Sequence, residues 1–184
     1  LSDGLNVARM SLDNDVHSTA TSGLARVVAG GAAAASMYSA IGRNIGVAVI
    51  DSGIRDVSDL EPVMKVDFIE DGRTSDTDPF GHGSHVAGII GGLGKSDSGR
   101  YTGMAPGARL VDVRVLDENG NGTTSDVIAG IEWAIKNRNA RGYDGKPLNM
   151  RVINLSLGHA PYESADTDPL TLECRKAVQA GLIV

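Results

Sequence analysis

Short aliphatic runs alternate along the chain with longer segments in which apolar residues recur every three to four positions. The runs are rich in β-branched residues and bounded by Gly, Asp or Pro, which is typical of buried strands. They span residues 46–50, 66–69, 110–116 and 152–157. The periodic segments predict amphipathic helices at 82–92, 124–137 and 171–180. This alternation predicts an α/β fold, a three-layer, mostly parallel, doubly wound sheet.

Residues 1–44 and 137–150 do not follow this alternation. The first stretch is rich in Ala, Ser and Thr, and we expect an amino-terminal extension with one short strand near Leu12 and Val16 and one helix. The main domain is then predicted to span 45–184. Charged residues fill the second stretch, which predicts an exposed connection after a helix whose start is capped by Thr124 and Ser125.

Composition and charge narrow the class of protein. A chain of 184 residues fits one domain, with 41% hydrophobic residues, 4% aromatic residues and 24 glycines, a balance typical of small-residue α/β packing. Nucleic acid is not an expected partner, because the net charge is −6 and phosphate binders need clustered Lys and Arg. No apolar run approaches the roughly 20 residues that cross a bilayer, so no membrane partner is expected.

Cys174 is the only cysteine, which excludes a disulfide within the chain. A cysteine nucleophile needs an adjacent base or a Gly-rich turn, and the sequence around Cys174 supplies neither. We expect this side chain to pack as a small hydrophobe on its helix.

Asp51 ends the first predicted strand, and His82 begins the first predicted helix between two glycines. Open α/β sheets carry their chemistry at the carboxyl edge, where both side chains are expected. Each residue alone also fits a structural role, as a strand-end turn carboxylate or a buried histidine. A metal site of Asp51, His82 and His85 is an alternative, although the second carboxylate and the Glu of H-E-x-x-H are missing.

Five segments strengthen the interpretation of Asp51 and His82. They read VAVIDSG, GHGSHVAG, GMAPGARL, GNGTTSDVIAGIEWA and VINLSLG, in this order. From Ile45 to Val184 the chain therefore resembles the subtilisin-like serine proteases, the subtilases, with Ser84 where Thr is commoner. The resemblance implies a serine endopeptidase with a triad in the order Asp, His, Ser. Asp51 would orient His82, which takes the proton from the serine hydroxyl.

The resemblance also implies a peptide or protein substrate that adds as a strand between two enzyme segments. Those segments consist of Gly120, Asn121 and Gly122 on one side, and Ser156, Leu157 and Gly158 on the other. From the residues alone, a turn before the next helix is the preferred interpretation of Gly120 and Gly122. His159 stands where the family often has a small residue, which is expected to change the shape of the pocket mouth.

No cofactor is implied for catalysis, but a structural calcium ion is common in the family. Asp59 and Asp97 are the candidate oxygen ligands, and each also fits a solvated loop carboxylate. The resemblance implies export from the cytoplasm, although the family has intracellular members.

The serine motif of the family, G-T-S-x-A-x-P, and its oxyanion asparagine do not occur in these residues. Ser52, Ser84 and Ser156 belong to other motifs. We therefore expect the fold to be incomplete at its carboxyl-terminal side, the remaining part of the peptidase domain to be a partner, and these residues alone to be inactive. Residues 1–44 fit a prosegment remnant or a simple extension. A catalytically dead module that binds peptides through the same two segments is a further alternative.

Overall fold

A sheet of four parallel strands forms the centre of the computed structural model, which describes residues 26–69, 71–72, 78–158 and 164–184. The strands are β1 (Gly46–Asp51), β2 (Met64–Asp67), β3 (Arg109–Arg114) and β4 (Met150–Leu155). They lie in the order β2-β3-β1-β4, with β1 in register beside both β3 and β4. The carboxyl ends of all four strands therefore lie at one edge of the sheet, the edge at which Asp51 was expected.

Helices cover both faces of this sheet. The helix α2 (His82–Gly91) covers one face, and α3 (Thr124–Asn137) and α4 (Pro169–Gln179) cover the other. The structure also contains α1 (Gly31–Tyr38) and a short 3₁₀ turn at Lys95–Asp97. The prediction of a three-layer α/β fold is confirmed. None of the described helices is long and apolar enough to cross a membrane.

Alternation of side chains along β1 decides which helix packs on which face. Ala48 and Ile50 point into an apolar core that α3 and α4 cover, and this core includes Ile131 and Ala177. Val49 points to the opposite face, where it joins the smaller cluster of Ile54, Leu60, Ala87 and Leu110 under α2. Burial of one such aliphatic side chain contributes about 1.5–3 kcal/mol. The larger core therefore holds α3 and α4, and the smaller cluster holds α2.

Strand boundaries differ from the predicted ones by about two residues. β2 and β4 begin earlier than 66 and 152, because Met64 pairs with Val111 and Met150 pairs with Gly46. β2 also ends earlier, since the Asp67 carboxylate accepts a hydrogen bond from the Ile69 amide at 2.9 Å and bends the chain.

Two of the three predicted helix starts, 82 and 124, are confirmed, but one capping residue and the start of α4 differ from the prediction. The cap of α3 is Thr123, not Thr124 or Ser125, because Thr123 and Asp126 exchange hydrogen bonds in a capping box. α4 begins at Pro169 after the Asp168 cap, two residues before the predicted position 171.

The stretch 137–150 is not simply an exposed connection. Leu148 and Met150 are fully buried in the larger core. Arg109 reaches this stretch and donates to both carboxylate oxygens of Asp144, at 2.9 and 2.8 Å. The charged residues correctly predicted an exposed surface, but Leu148 and Met150 anchor the stretch in the larger core.

At the amino-terminal side, α1 has no buried residue. The expected strand near Leu12 and Val16 lies outside the described residues, as does His17. The division into 1–44 and 45–184 stays a prediction.

The face of the sheet under α2 also carries buried titratable side chains. Asp112 on β3 is fully buried, and its Oδ2 accepts a hydrogen bond from the Ile54 amide at 2.9 Å. Lys65, its register neighbour on β2, donates to the Ile54 carbonyl at 3.1 Å and pairs with Asp56 at 3.0 Å. Burial raises the pKa of Asp112 to about 8, against the lowering effects of the Ile54 amide and Lys65. The nearby charges of Asp78 and Asp67 raise it further.

The raised pKa of Asp112 predicts a pH-dependent loss of stability. Between the ordinary aspartate value of 3.8 and about 8, the folded protein holds a proton that the unfolded chain releases. The free energy of unfolding therefore falls as pH rises through this window, by up to about 1.4 kcal/mol per pH unit, and levels off above it. Asp112→Asn removes this component, so the variant should gain stability relative to the native protein from pH 4 to pH 8. Urea unfolding across that range measures the difference, and a constant difference would contradict the assignment.

Candidate active site

Asp51 and His82 are joined by a hydrogen bond at the carboxyl edge of the sheet. His82 Nδ1 lies 2.8 Å from Oδ1 and 3.0 Å from Oδ2 of Asp51. Asp51 is fully buried, whereas 39% of the His82 side chain is exposed. A carboxylate only accepts hydrogen bonds, so Nδ1 carries the proton and Nε2 of the neutral ring is left as the basic nitrogen. The pair can therefore present a base to a bound molecule.

Asp51 is held through both its backbone and its carboxylate. Its carbonyl accepts hydrogen bonds from the amides of Val115 and Leu116 at 2.8 and 3.3 Å, just after β3 ends. Its Oδ1 also accepts from the Ser52 amide at 2.7 Å. These bonds fix the carboxylate at the end of β1 and leave it little freedom to turn away from His82.

Close approach of two backbone segments brings His82 to Asp51. A Cβ on Gly83 would lie 2.2 Å from the carbonyl oxygen of Gly53 and 3.2 Å from Asp51 Cβ. Gly81, the residue before α2, has a φ of 86°, which favours glycine. Glycine is thus required after His82 by the contact between the start of α2 and the end of β1, and is favoured before His82 by the backbone conformation.

A cavity of about 410 Å³ brings the predicted substrate-binding segments together with His82. Its lining includes all six predicted residues, Gly120, Asn121, Gly122, Ser156, Leu157 and Gly158. Apolar side chains complete the walls: Leu116, Val127 and Leu170. The structure therefore places these predicted residues around one cavity, while His159 lies outside the described residues.

The alternative of a simple turn describes Gly120 correctly. Its φ is 77°, its amide donates to the Asp117 carbonyl at 3.1 Å, and Asn121 closes the turn by accepting from the Asp117 amide at 2.7 Å. At Gly122 the reason is different, because a Cβ there would lie 2.1 Å from the Val115 carbonyl oxygen. The turn and the cavity wall are the same segment.

Two residues of this region were missed by sequence reasoning. Phe80 is 46% exposed, lines the cavity, and its ring centroid lies 6.2 Å from that of His82. Asp78 is 1% exposed and accepts hydrogen bonds from the start of α2. The available signal for Asp78 was its position three residues before Gly81, a helix start with no capping side chain of its own.

The three serines nearest in sequence to these motifs have other partners. The Ser52 hydroxyl donates to Asp78 at 2.8 Å, Ser84 Oγ accepts from the Arg55 amide at 2.9 Å, and Ser156 Oγ accepts from Asn154 at 2.9 Å. None of the three is hydrogen-bonded to His82. They fit the structural roles that their motifs predicted.

The metal-site alternative is wrong. Asp51, His82 and His85 all belong to the described part of the chain, and no three His, Cys, Asp or Glu side chains within that part could hold a metal ion. The expected alternative, that His85 is a packing residue of its motif, is also wrong, because His85 is exposed on α2.

The two candidate calcium ligands accept hydrogen bonds from the backbone. Asp59 accepts from the Ser96 hydroxyl and from the amides of Lys95 and Ser96, and the Ser96 hydroxyl contributes most to a lowered pKa of Asp59. Asp97 accepts from the Tyr101 amide at 3.1 Å. These bonds brace the loop after α2, and calcium binding stays a prediction.

Cys174 packs against the larger core as expected. Burial raises the pKa of its thiol, with a further rise from Glu173 and Asp168. The thiolate is therefore disfavoured, which agrees with a structural cysteine.

Substitution of Gly83 tests the contact between α2 and β1. Gly83→Ala should destabilise the protein by about 1–3 kcal/mol, because the added Cβ meets the Gly53 carbonyl. Gly88 on the same helix is the matched control, since a Cβ there meets nothing within 4 Å. Gly88→Ala should stabilise by roughly 0.5–1 kcal/mol through helix propensity. Urea unfolding of both variants measures the effect, and equal stability of the two would contradict the close contact.

Comparison with known proteins identifies the family. Residues 42–184 match the Subtilase family model, Peptidase_S8. The chain is 37% identical over 145 residues to serine protease AprX and 40% identical over 147 residues to subtilisin E, both of Bacillus subtilis strain 168. Each comparison covers 78% of this chain but only 32% and 33% of the relative, so the chain spans about a third of the length of these curated relatives.

A solved structure supports the same relationship. The crystal structure of a cold adapted subtilisin-like serine proteinase superimposes with a TM-score of 0.59 at 34% identity, covering 77% of this chain and 45% of that one. Sequence, fold and the order of the motifs agree, and the chain belongs to the subtilase family.

Proposed function

We propose that the complete gene product is a serine endopeptidase, with Asp51 and His82 as two members of an Asp-His-Ser triad. One observation carries the proposal. The Nδ1 of His82 is bonded to both oxygens of a fully buried carboxylate, and the same imidazole lines the cavity between the two predicted substrate-binding segments. Membership of the subtilase family supports the same reaction.

In this mechanism His82 acts as the base and then as the acid. Its Nε2 takes the proton of a serine hydroxyl while that oxygen attacks the carbonyl carbon of the peptide bond. The imidazolium returns the proton to the leaving amine, and water repeats the sequence on the acyl-enzyme. Asp51 stays ionised and stabilises the imidazolium through the Nδ1 hydrogen bond. The serine and the oxyanion asparagine are proposed to come from the remaining part of the peptidase domain.

The substrate in this proposal is an extended peptide or protein segment. Among the described residues no backbone hydrogen bond is made to Gly122, so its peptide groups are available to a strand lying along the cavity. A Cβ at Gly158 would meet nothing within 4 Å, so the cavity is open to the substrate backbone on this side. Leu116, Val127 and Leu157 give the cavity apolar walls that favour an apolar substrate side chain.

Two narrower proposals follow from the same mechanism. Because no serine in the described part of the chain is bonded to His82, these 184 residues alone are proposed to be inactive, since loss of one triad member costs several orders of magnitude. The family resemblance supports an extracytoplasmic location, which cell fractionation would test.

Substitutions at the pair test the proposed function. In the complete gene product, Asp51→Asn should lower kcat by roughly 10⁴-fold, the loss typical of this residue in a triad, and His82→Ala by at least as much. His85→Ala is the control, because His85 is exposed on the same helix and makes no bond to Asp51. Hydrolysis of a peptide p-nitroanilide and labelling by a fluorophosphonate measure the effects.

The alternatives give different results in the same assay. Peptide binding without labelling of the native protein would replace the proposal with a non-catalytic binding module. Hydrolysis that survives His82→Ala would exclude the triad.

Removal of calcium tests the predicted structural ion. If Asp59 and Asp97 bind calcium, EDTA should lower the Tm of the native protein, and the shift should be smaller in Asp59→Asn. The treatment should leave the chemical step unchanged in protein that stays folded, because no metal is proposed in the mechanism. A Tm independent of EDTA would contradict the structural ion.

A further inference from the structure

The start of α2 lacks a capping side chain of its own. Gly81 occupies the cap position, and the first amides of the helix, which have no partner within it, lie next to the buried end of β1. A helix start in such a place needs hydrogen-bond acceptors from elsewhere in the chain. Asp78, which is 1% exposed, supplies them.

The carboxylate of Asp78 accepts hydrogen bonds from two backbone amides at this helix start. Asp78 Oδ1 accepts from the Gly81 amide at 2.9 Å, and Oδ2 accepts from the Ser84 amide at 2.8 Å. Both oxygens are thus committed to residues that flank His82 in sequence.

The same carboxylate reaches the segment that follows Asp51. The Ser52 hydroxyl donates to Asp78 Oδ1 at 2.8 Å and accepts from the Gly83 amide at 2.9 Å. Ser84 Oγ accepts from the Arg55 amide at 2.9 Å. Asp78 therefore lies at the centre of a closed network that joins the residues after Asp51 to the residues around His82.

We propose that Asp78 is a positioning residue, whose carboxylate fixes the start of α2 on the end of β1 and thereby holds His82 Nδ1 on Asp51. This inference rests on the proposed function for its effect on catalysis, but the geometry that it explains exists without it. Asp78 itself does not bond to His82. Its action is transmitted through Ser52 and Ser84.

Ionisation of Asp78 fits this role. Burial acts to raise its pKa, but the hydrogen bonds from Ser84, Gly81 and Ser52 outweigh burial and leave the pKa of Asp78 below its usual value. Three donors, the Ser52 hydroxyl and the amides of Gly81 and Ser84, face the two oxygens, which favours the ionised carboxylate because it only accepts hydrogen bonds. The network therefore requires both oxygens of Asp78 to accept hydrogen bonds, as they do in the ionised carboxylate.

Asp78→Asn tests the inference with little change of volume. An amide nitrogen cannot accept, so one side of the network must face donor against donor. We expect kcat to fall by about 10- to 100-fold with KM nearly unchanged, because a displacement of about 1 Å costs up to about 10²-fold. The low-field proton resonance of His82 Nδ1–H should shift or disappear, and the ascending limb of the kcat/KM pH profile should move.

Asp168→Asn is the matched control. Asp168 caps the start of α4, a helix on the opposite face of the sheet from α2, by accepting from the Thr171 amide at 2.6 Å, and it is 8% exposed. This variant should lose stability as well, but its His82 resonance, pH profile and kcat should stay native. A purely structural role for Asp78 would make the two variants alike.

Ser52→Ala and Ser52→Thr keep the test valid if Asp78→Asn does not fold. Ser52→Ala removes the hydroxyl that links Asp78 to Gly83, so the His82 resonance should shift, but by less than in Asp78→Asn. Ser52→Thr retains the hydroxyl, so its His82 resonance should be native. A native resonance and kcat within twofold of native in both Asp78→Asn and Ser52→Ala would overturn the inference. If the native protein shows the resonance and Asp78→Asn loses it, while neither cleaves peptides, the proposed function fails and the positioning role stands.

Discussion

The hydrogen bond between a buried carboxylate and a half-exposed imidazole is the interaction on which the site depends. Asp51 is removed from water, so its charge requires donors, and it finds them in His82 Nδ1 and the Ser52 amide. Because the donor nitrogen of the ring is committed to Asp51, the other nitrogen is the acceptor. The hydrogen bond that fixes His82 Nδ1 thus leaves Nε2 as the basic nitrogen.

Sheet order makes this bond geometrically possible. β1 lies between β3 and β4, so the segments that follow the three strands meet around the same crevice. The segment after β3 supplies Gly120 and Gly122, the segment after β4 supplies Ser156 and Gly158, and the connection after β1 leads through β2 to α2 and His82. The cavity is a consequence of strand order more than of any single loop.

Sequence patterns predicted the parts of the fold that follow from local periodicity. All four strands and the three core-facing helices lie where the alternation of apolar residues placed them, and the family motifs placed Asp51 and His82 at adjoining ends. One boundary was missed where a side chain ends the element, as Asp67 does for β2, and the cap of α3 was placed one residue too late, because it is Thr123. Asp78 could not be predicted from periodicity, because its partners Ser52 and Ser84 belong to different elements and meet only in the folded chain.

The two faces of the sheet have different roles, because one contributes stability and the other fixes the position of the site residues. The face under α3 and α4 is apolar and contributes stability by burial. Under α2 the same strands carry Arg114, fully buried and bonded to Asp67 at 2.8 Å, and Asp112, bonded to the Ile54 amide. Buried polar and charged groups are costly to leave without their hydrogen-bond partners. Each of these groups therefore fixes a neighbouring segment in one position. The segment after Asp51 is fixed by two of them, by Asp112 through the Ile54 amide and by Asp78 through the Ser52 hydroxyl. Polar residues are tolerated in this layer because the site above it requires a fixed backbone more than it requires additional apolar burial.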